Sequence, residues 1–572
     1  MQPLLDIPAL VSFADDAENG HRPAIRFRLG PTAQHADLTY AELRRAAVAS
    51  AAALLALGAR PGERAALLMP PSPRLVTTFY GALYAGLIPS IIASPTAKMD
   101  PEKYRRNVLA VVGSLDASLL VTDAATAARL GAAVGEARVI DPAHGEGAAS
   151  SEAQISSLAP DPRREGTAFI QFSGGTTGTQ KSVPMSFEHL RAQLASYGAA
   201  LGLTPDDRVV SWLPLYHDMG LIACLLLPFV HRLSVTLFAP MDWVMDPRPF
   251  LESIGHDRAT LCWLPNFAFS FLARKSALPT KSPLDLASLR AVINCSEPVR
   301  AGSVDAFAAA FAPHGLRPAA LHTCYAMAEA TFAVTQSTDA DPPRRLPISI
   351  DAFGQGRLVA DPASARILVS CGALIQGMEA RIVDAAGLPA APGQIGEIWL
   401  RGAFLLDDYL HTHHASAAPR QAFTEDWYRT GDLGAFLDRH LYVTGRKKDL
   451  IILGGVNLYP EDLESAVSAV SGVHAGRVVA LGLDDAQLGT ERLVVVAEID
   501  AGVEPGRIPA IEAEVRKVIV AVGGVAPYKV FLVPPQWVVK STAGKVARAD
   551  TRARLLERWD ELAAPQITEK DR

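Results

Sequence analysis

Apolar positions along this chain switch between two periods. Leucines and alanines recur at helical spacing over residues 43–57, Gly62-Glu63-Arg64-Ala65-Ala66-Leu67-Leu68-Met69 reads as a turn entering a strand, and residues 74–84 return to the helical period. Helix and strand in alternation predict a mostly parallel, layered α/β fold. Thr167-Ala168-Phe169-Ile170-Gln171-Phe172 reads as a short buried strand. The longest apolar run, residues 219–230, stops at His231-Arg232; it is too short to cross a bilayer and predicts a buried helix. Beyond Gly402 the chain turns strand-rich, and past Arg446 a compact α+β unit is expected, with helices at 460–470 and 508–522 and strands at 478–483 and 493–499. This divides the chain into a large N-terminal region of mixed sheets and helices (1–445), a connector (446–448) and a small C-terminal domain (449–572).

Composition narrows the classes. With 572 residues, 49% of them hydrophobic, the chain is long enough for more than one core. A net charge of −6 provides no basic footprint for nucleic acid. The five cysteines, Cys224, Cys262, Cys295, Cys324 and Cys371, lack metal-ligand spacing and read as reduced core thiols. No basic-then-apolar leader opens the sequence, so a cytoplasmic location is expected.

Chemistry enters with Phe172-Ser173-Gly174-Gly175-Thr176-Thr177-Gly178-Thr179-Gln180-Lys181-Ser182. Glycines let backbone N–H groups approach an anion, the hydroxyls add donors and Lys181 brings a positive charge, so the loop is suited to phosphates. Gln180 stands where a Walker loop needs glycine, which argues against a kinase or GTPase. A plain Gly/Thr surface loop is the competing reading.

Four further motifs follow: Tyr325-Ala326-Met327-Ala328-Glu329-Ala330, Tyr428-Arg429-Thr430-Gly431-Asp432-Leu433, Gly445-Arg446-Lys447-Lys448-Asp449 and Ser541-Thr542-Ala543-Gly544-Lys545. In this order the five resemble the adenylate-forming superfamily of acyl-CoA synthetases, fatty acyl-AMP ligases and amino-acid adenylation domains. The resemblance runs from Leu38-Thr39-Tyr40-Ala41-Glu42-Leu43 to Lys545. It departs from the usual phosphate loop at Gln180 and Ser182.

The resemblance implies roles. Ser173, Gly174, Gly175, Thr176, Thr177, Gly178 and Lys181 would hold the phosphates of ATP. Glu329, with Ser173, would hold Mg²⁺, a hard cation that takes oxygen ligands. Tyr325 would lie beside adenine, as would the turn Ser296-Glu297-Pro298, while Asp432 and Arg446 would contact the ribose. Lys448 would be the hinge of a mobile C-terminal lid, and Lys545 would reach from that lid to the reacting carboxylate and α-phosphate. Each residue also has an ordinary reading: a solvated Glu329 or Lys545, a core Tyr325, a turn-forming Asp432, a charged-run Arg446.

The acid's specificity is expected from the apolar stretches around Trp212, Tyr216, Trp263 and Phe267, in which no aspartate obviously suited to grip an α-amino group stands out. His217 stands between them as a catalytic candidate that gates the carboxylate, with a satisfied structural histidine as its alternative. For the acceptor the testimony is mixed. Tyr216-His217-Asp218-Met219-Gly220, Glu297-Pro298-Val299-Arg300 and residues 337–368, which resemble a lid-restraining insertion, look like acyl-AMP ligases. The pair Gly454-Gly455 looks like the thiol tunnel of CoA synthetases, where a bare backbone lets a pantetheine arm pass.

The sequence therefore leads to an ATP- and Mg²⁺-dependent ligase of an apolar acid, acting through acyl-AMP. CoA is its first-choice acceptor and the phosphopantetheine of an acyl carrier protein its second. A nucleotide-binding sensor without catalysis and a luciferase-like oxidase are the alternatives from other classes.

Overall fold

The computed structural model describes residues 19–29, 34–94, 101–130, 137–142, 166–173, 181–276, 280, 282–410, 423–454, 456–485, 490–540 and 546–563. Its centre is a nine-stranded sheet in the order Ala373–Leu374, Ala333–Gln336, Leu321–Ala326, Ala291–Asn294, Leu261–Leu264, Arg208–Ser211, Ser234–Phe238, Pro23–Leu29, Gln34–Thr39. The six inner strands run parallel, and antiparallel strands close both edges. A parallel four-stranded sheet, Ile88–Ile91, Arg64–Leu67, Leu119–Val121 and Arg138–Ile140, lies beside it. Helices cover the sheets, as the alternating pattern predicts.

Local chemistry explains the ends of these helices. The first-motif helix spans Tyr40–Ala56 because Thr39 and Glu42 form a reciprocal capping box, each side chain accepting from the other's backbone N–H. Ser72 caps Pro73–Tyr84 by accepting from the Leu75 N–H. The long apolar run opens as a wide π-helical stretch, Met219–Leu226, and continues as Leu227–Val230. Gly220 sits there because a Cβ would come within 2.2 Å of the Pro214 carbonyl oxygen. All five cysteines are buried and free.

A five-stranded antiparallel sheet built from Met378–Val383, Gly396–Gly402, Trp427–Leu437, Phe423–Thr424 and His440–Arg446 follows. Beyond it, the strands Val473–Asp485, Thr490–Ile499 and Lys529–Val533 pack on Pro460–Val467, Ile508–Gly523 and Arg548–Glu557. This C-terminal part has its own apolar core, centred on Val467, Leu493, Val495, Val515 and Ile519. Each such fully buried side chain contributes about 1.5–3 kcal/mol of transfer free energy. The mixed α/β body with an α+β C-terminal part is thus the fold expected from the sequence.

Two features gain detail. The buried strand Thr167–Phe172 forms a two-stranded antiparallel hairpin with Ser182–Ser186. Residues 337–368 have structure of their own. Arg345–Pro347 pairs with Ile367–Val369, and Ile350–Gly354 is helical. Phe353 from this segment shares a small core with Leu433, Tyr442 and Tyr459.

Candidate functional site

The stem of the phosphate loop is fixed. Phe172 pairs with Ser182, and the Ser173 N–H donates to the Lys181 carbonyl at 2.9 Å. Residues Gly174, Gly175, Thr176, Thr177 and Gly178 lie outside the described residues. Lys181 places its Nζ 4.4 Å from the ring centroid of Tyr409, the face on which a cation is attracted by the ring quadrupole.

That tyrosine also holds Glu329. The Tyr409 hydroxyl donates to Glu329 Oε1 at 2.9 Å and lies 2.8 Å from the Tyr428 hydroxyl. Glu329 is not a solvated surface residue, being only 8% exposed. Burial pushes its carboxyl above the usual carboxylate range and Asp218 adds to this, while its own backbone N–H, Tyr409 and Lys181 pull the other way. The next residue but one, Thr331, is held in a left-handed conformation with φ 61°, and its hydroxyl donates to the Phe404 carbonyl. Such backbone persists only where its surroundings enforce it.

On the adjoining wall, Tyr325 donates from its hydroxyl to Asp432 Oδ2 at 2.6 Å. Burial first, then Asp432, raises the phenol well above its ordinary pKa, so it stays a donor. Asp432 lies within the strand Trp427–Leu437, directly opposite Arg446 on His440–Arg446 and after Gly431 at φ 72°, and the Thr430 hydroxyl accepts from the Asp432 N–H. Arg446 Nε lies 3.4 Å from Asp432 Oδ1, and the Arg446 guanidinium also feels Asp449, Tyr325 and Glu329. Glu329, Tyr325, Asp432, Arg446 and Lys181 therefore share one cleft. Ser296, at φ 66°, and Glu297 follow the end of Ala291–Asn294, the strand paired with the one that carries Tyr325, and Glu297 accepts from the Phe267 N–H at 2.9 Å. Pro298 is exposed at the same turn.

Beside Arg446 the chain is anchored on both flanks of Lys448. Lys447 Nζ pairs with Glu397 at 3.0 Å, Asp449 pairs with Arg548 at 3.1 Å, and Lys448 is exposed between them. Gly454 adopts φ 58° with open space where a Cβ would point. Lys545 and Gly455 lie outside the described residues.

The four aromatic candidates for the acid separate. Tyr216 lines an apolar cleft between the carboxyl ends of the two parallel sheets, with Phe27, Met69, Leu75, Leu213 and Phe238. Trp212 is buried and stacked on Trp243, with centroids 3.8 Å apart and planes 6° apart. Phe267 meets both indoles edge-on and is 42% exposed. Trp263 is fully enclosed at 0% exposure, and its indole N–H donates to the Tyr197 hydroxyl at 2.8 Å. The structure does not bring it to the cleft. Trp263→Phe is expected to lower stability by about 1 kcal/mol in denaturant unfolding, the worth of one hydrogen bond, without changing which acid is used. His217 is half-buried ahead of Met219–Leu226, its ring 4.6 Å from that of Tyr216.

Sequence reasoning missed Tyr409, Tyr428 and Trp243. Tyr428 stood inside a quoted motif without a role. Tyr409 follows Asp407-Asp408, where charge signals a loop and conceals the phenol's partner.

A cleft of this composition, at the carboxyl ends of parallel strands and beneath a small α+β domain, defines an adenylate-forming ligase. The chain belongs to the family of AMP-binding enzymes, whose model matches residues 13–410. It is similar to the long-chain-fatty-acid–AMP ligase FadD32 of Mycolicibacterium smegmatis, with 32% identity over 567 residues, covering 91% of this chain and 89% of the relative. The medium-chain-fatty-acid–[acyl-carrier-protein] ligase JamA of Moorena producens is 30% identical over 563 residues, covering 93% of both chains. A solved structure from work on fatty acyl-adenylate ligases of E. coli and L. pneumophila matches with a TM-score of 0.84 and 28% identity, over 96% of this chain and 98% of that one. No described helix is long and apolar enough to cross a membrane.

Proposed function

We propose that the protein joins an apolar carboxylic acid to ATP, forming acyl-AMP and pyrophosphate, and passes the acyl group to the phosphopantetheine thiol of a carrier protein. The observation that carries the first half is the buried Glu329 carboxylate facing Lys181 across the Tyr409 ring, with Asp432 and Arg446 on the adjoining wall. A carboxylate oxygen must attack the α-phosphorus while the bond to the β-phosphate breaks, so two anions have to meet. Lys181 offsets charge on the phosphates, Asp432 accepts from the ribose hydroxyls, and Arg446 steadies Asp432.

The donor set suits Mg²⁺. One buried carboxylate and a nearby hydroxyl are hard oxygen ligands, too few for a closed protein cage and sufficient when phosphates and water complete the shell. Among the described residues no cluster of three His, Cys, Asp or Glu competes for a metal. Glu329 and Ser173 would hold the ion, which supplies neutralisation of the phosphate charge. The apolar cleft beside Tyr216 accommodates the tail of the acid, and a fatty acid is its natural occupant.

The acceptor follows from the lid. Residues 449–572 form this lid, with Lys448 as its hinge: its neighbours are tied down while it is exposed. Asp462, on the helix Pro460–Val467, is gripped by Arg300 and by Arg366 of the 337–368 segment. Arg366 also lies 3.9 Å over the Phe353 ring, which packs 4.5 Å from Tyr459. Opening the lid has to break this buried latch. A carrier protein brings a docking surface whose contacts offset that cost, and free CoA brings none. The name of JamA, which includes the acyl carrier protein, agrees with this order of preference, whereas Gly454 with its open flank is the feature that favours CoA.

Purified protein with ATP, a panel of fatty acids and either CoA or a holo-carrier protein, with products weighed by mass spectrometry, decides between them. Acyl-AMP and acyl-carrier are expected, with little acyl-CoA; abundant acyl-CoA overturns the carrier assignment. The double variant Arg300→Ala/Arg366→Ala is expected to raise acyl-CoA output several-fold by freeing the lid.

A further inference from the structure

We propose that Tyr409 is a positioning residue for the metal-binding carboxylate and, through its ring, for the phosphate-loop lysine. The proposal rests on the reading of Glu329 as a Mg²⁺ ligand. Three elements far apart in sequence meet at this one side chain. Its hydroxyl donates to Glu329 Oε1 at 2.9 Å, and the Tyr428 hydroxyl stands 2.8 Å behind it. With the Tyr409 proton committed to the carboxylate, Tyr428 donates to the Tyr409 oxygen, so the phenols form a directed chain ending on Glu329. On its face the ring carries Lys181 Nζ at 4.4 Å.

The backbone around Tyr409 is tied to the same two places. The Leu406 N–H donates to the Glu329 carbonyl at 2.8 Å, and the Leu410 N–H donates to the Ser182 carbonyl at 2.9 Å. The Thr331 hydroxyl donates to the Phe404 carbonyl at 2.8 Å. Residues 404–410 therefore form a strut between the turn that carries Glu329 and the stem that carries Lys181. A buried carboxylate bound at one oxygen by a fixed phenol has its rotamer set and the other oxygen left for a ligand. A metal needs that preset orientation, since a misplaced ligand loses much of its worth.

The two faces of the residue predict separable defects. Tyr409→Phe keeps the ring and removes the donor. Tyr409→Leu removes both. Binding is read without turnover, by electron paramagnetic resonance of Mn²⁺ titrated into protein saturated with the methylene analogue of ATP blocked between the α- and β-phosphates. Tyr409→Phe is expected to weaken Mn²⁺ binding about tenfold and to lower kcat, with the KM for ATP little changed. Tyr409→Leu is expected to raise the KM for ATP as well, because Lys181 loses its platform. Tyr428→Phe, which leaves the Tyr409–Glu329 bond in place, is expected to cost only a few-fold and guards against misfolding of the Tyr409 variants.

A double-mutant cycle separates positioning from bulk stability. In a Glu329→Gln background, Tyr409→Phe should add little further loss. Wild-type Mn²⁺ affinity in Tyr409→Phe, or fully additive losses in the cycle, overturns the proposal while leaving the adenylation reading intact. Wild-type Mn²⁺ affinity in Glu329→Gln itself overturns the metal assignment on which the proposal rests.

Discussion

Exchanging Glu329 for glutamine lowers acid-dependent pyrophosphate release on the order of 100-fold or more, the usual cost of removing one preorganised electrostatic contact from a reacting phosphate. Three effects add up in the variant. A neutral amide binds a hard divalent cation less well than a carboxylate. The positive field of Lys181 loses its partner across the Tyr409 ring. If the amide turns its NH₂ toward Tyr409, a donor faces a donor in a buried site, and if it turns its oxygen there, the NH₂ faces the metal. A coupled pyrophosphate assay with saturating ATP and acid measures the loss. Raising Mg²⁺ should recover part of it, because weakened metal binding responds to mass action. A rate equal to wild type returns Glu329 to a structural role in its turn.

Much of the body was legible because its signals are local. The periodic stretch at 43–57 became Tyr40–Ala56, its start displaced only because the Thr39–Glu42 capping box was not read. The buried run at 219–230 is helical throughout, although nothing in its composition announces the π-helical turn. What escaped the sequence is what depends on distant pairing. The Asp341–His440 hydrogen bond joins residues 99 positions apart, and the Arg366–Asp462 latch joins residues 96 apart. Periodicity carries no information about such partners.

The same limit governs the site. Asp432 and Arg446 were readable as a pair because the resemblance assigns both to the same ribose. Trp263 and Tyr216, equally aromatic and equally embedded in apolar residues, gave the same signal. Only the fold shows that Trp263, on the strand Leu261–Leu264, faces Tyr197 in the core while Tyr216, in the turn beyond Arg208–Ser211, lines the cleft. Tyr409 had no motif of its own, and the role proposed for it comes entirely from the three partners the fold delivers to it, Glu329, Tyr428 and Lys181.

Lys545→Ala abolishes acyl-AMP synthesis and leaves the second half-reaction working. The loop that carries Lys545 is closed at its base by a bridge between Lys540 and Val546. Lys540 is exposed, yet partial desolvation of its ammonium depresses it below the usual lysine range, with Arg477 acting in the same direction and Glu297 opposing them. Glu297 belongs to the Ser296-Glu297-Pro298 turn, so Lys540 stands within the electrostatic reach of that turn. Small residues, Ser541-Thr542-Ala543-Gly544, let the loop come close to a ligand, and an ammonium at its end can bridge the acid's carboxylate and the α-phosphate. Thiol transfer needs neither anion bridged, because acyl-AMP is already an activated mixed anhydride and the sulfur displaces AMP from its carbonyl carbon. Supplied acyl-AMP and a holo-carrier protein should therefore still yield thioester with the variant, while ATP and free acid yield no acyl-AMP by mass spectrometry. Equal loss of both half-reactions contradicts a lid that serves them separately, and normal adenylation removes Lys545 from the site.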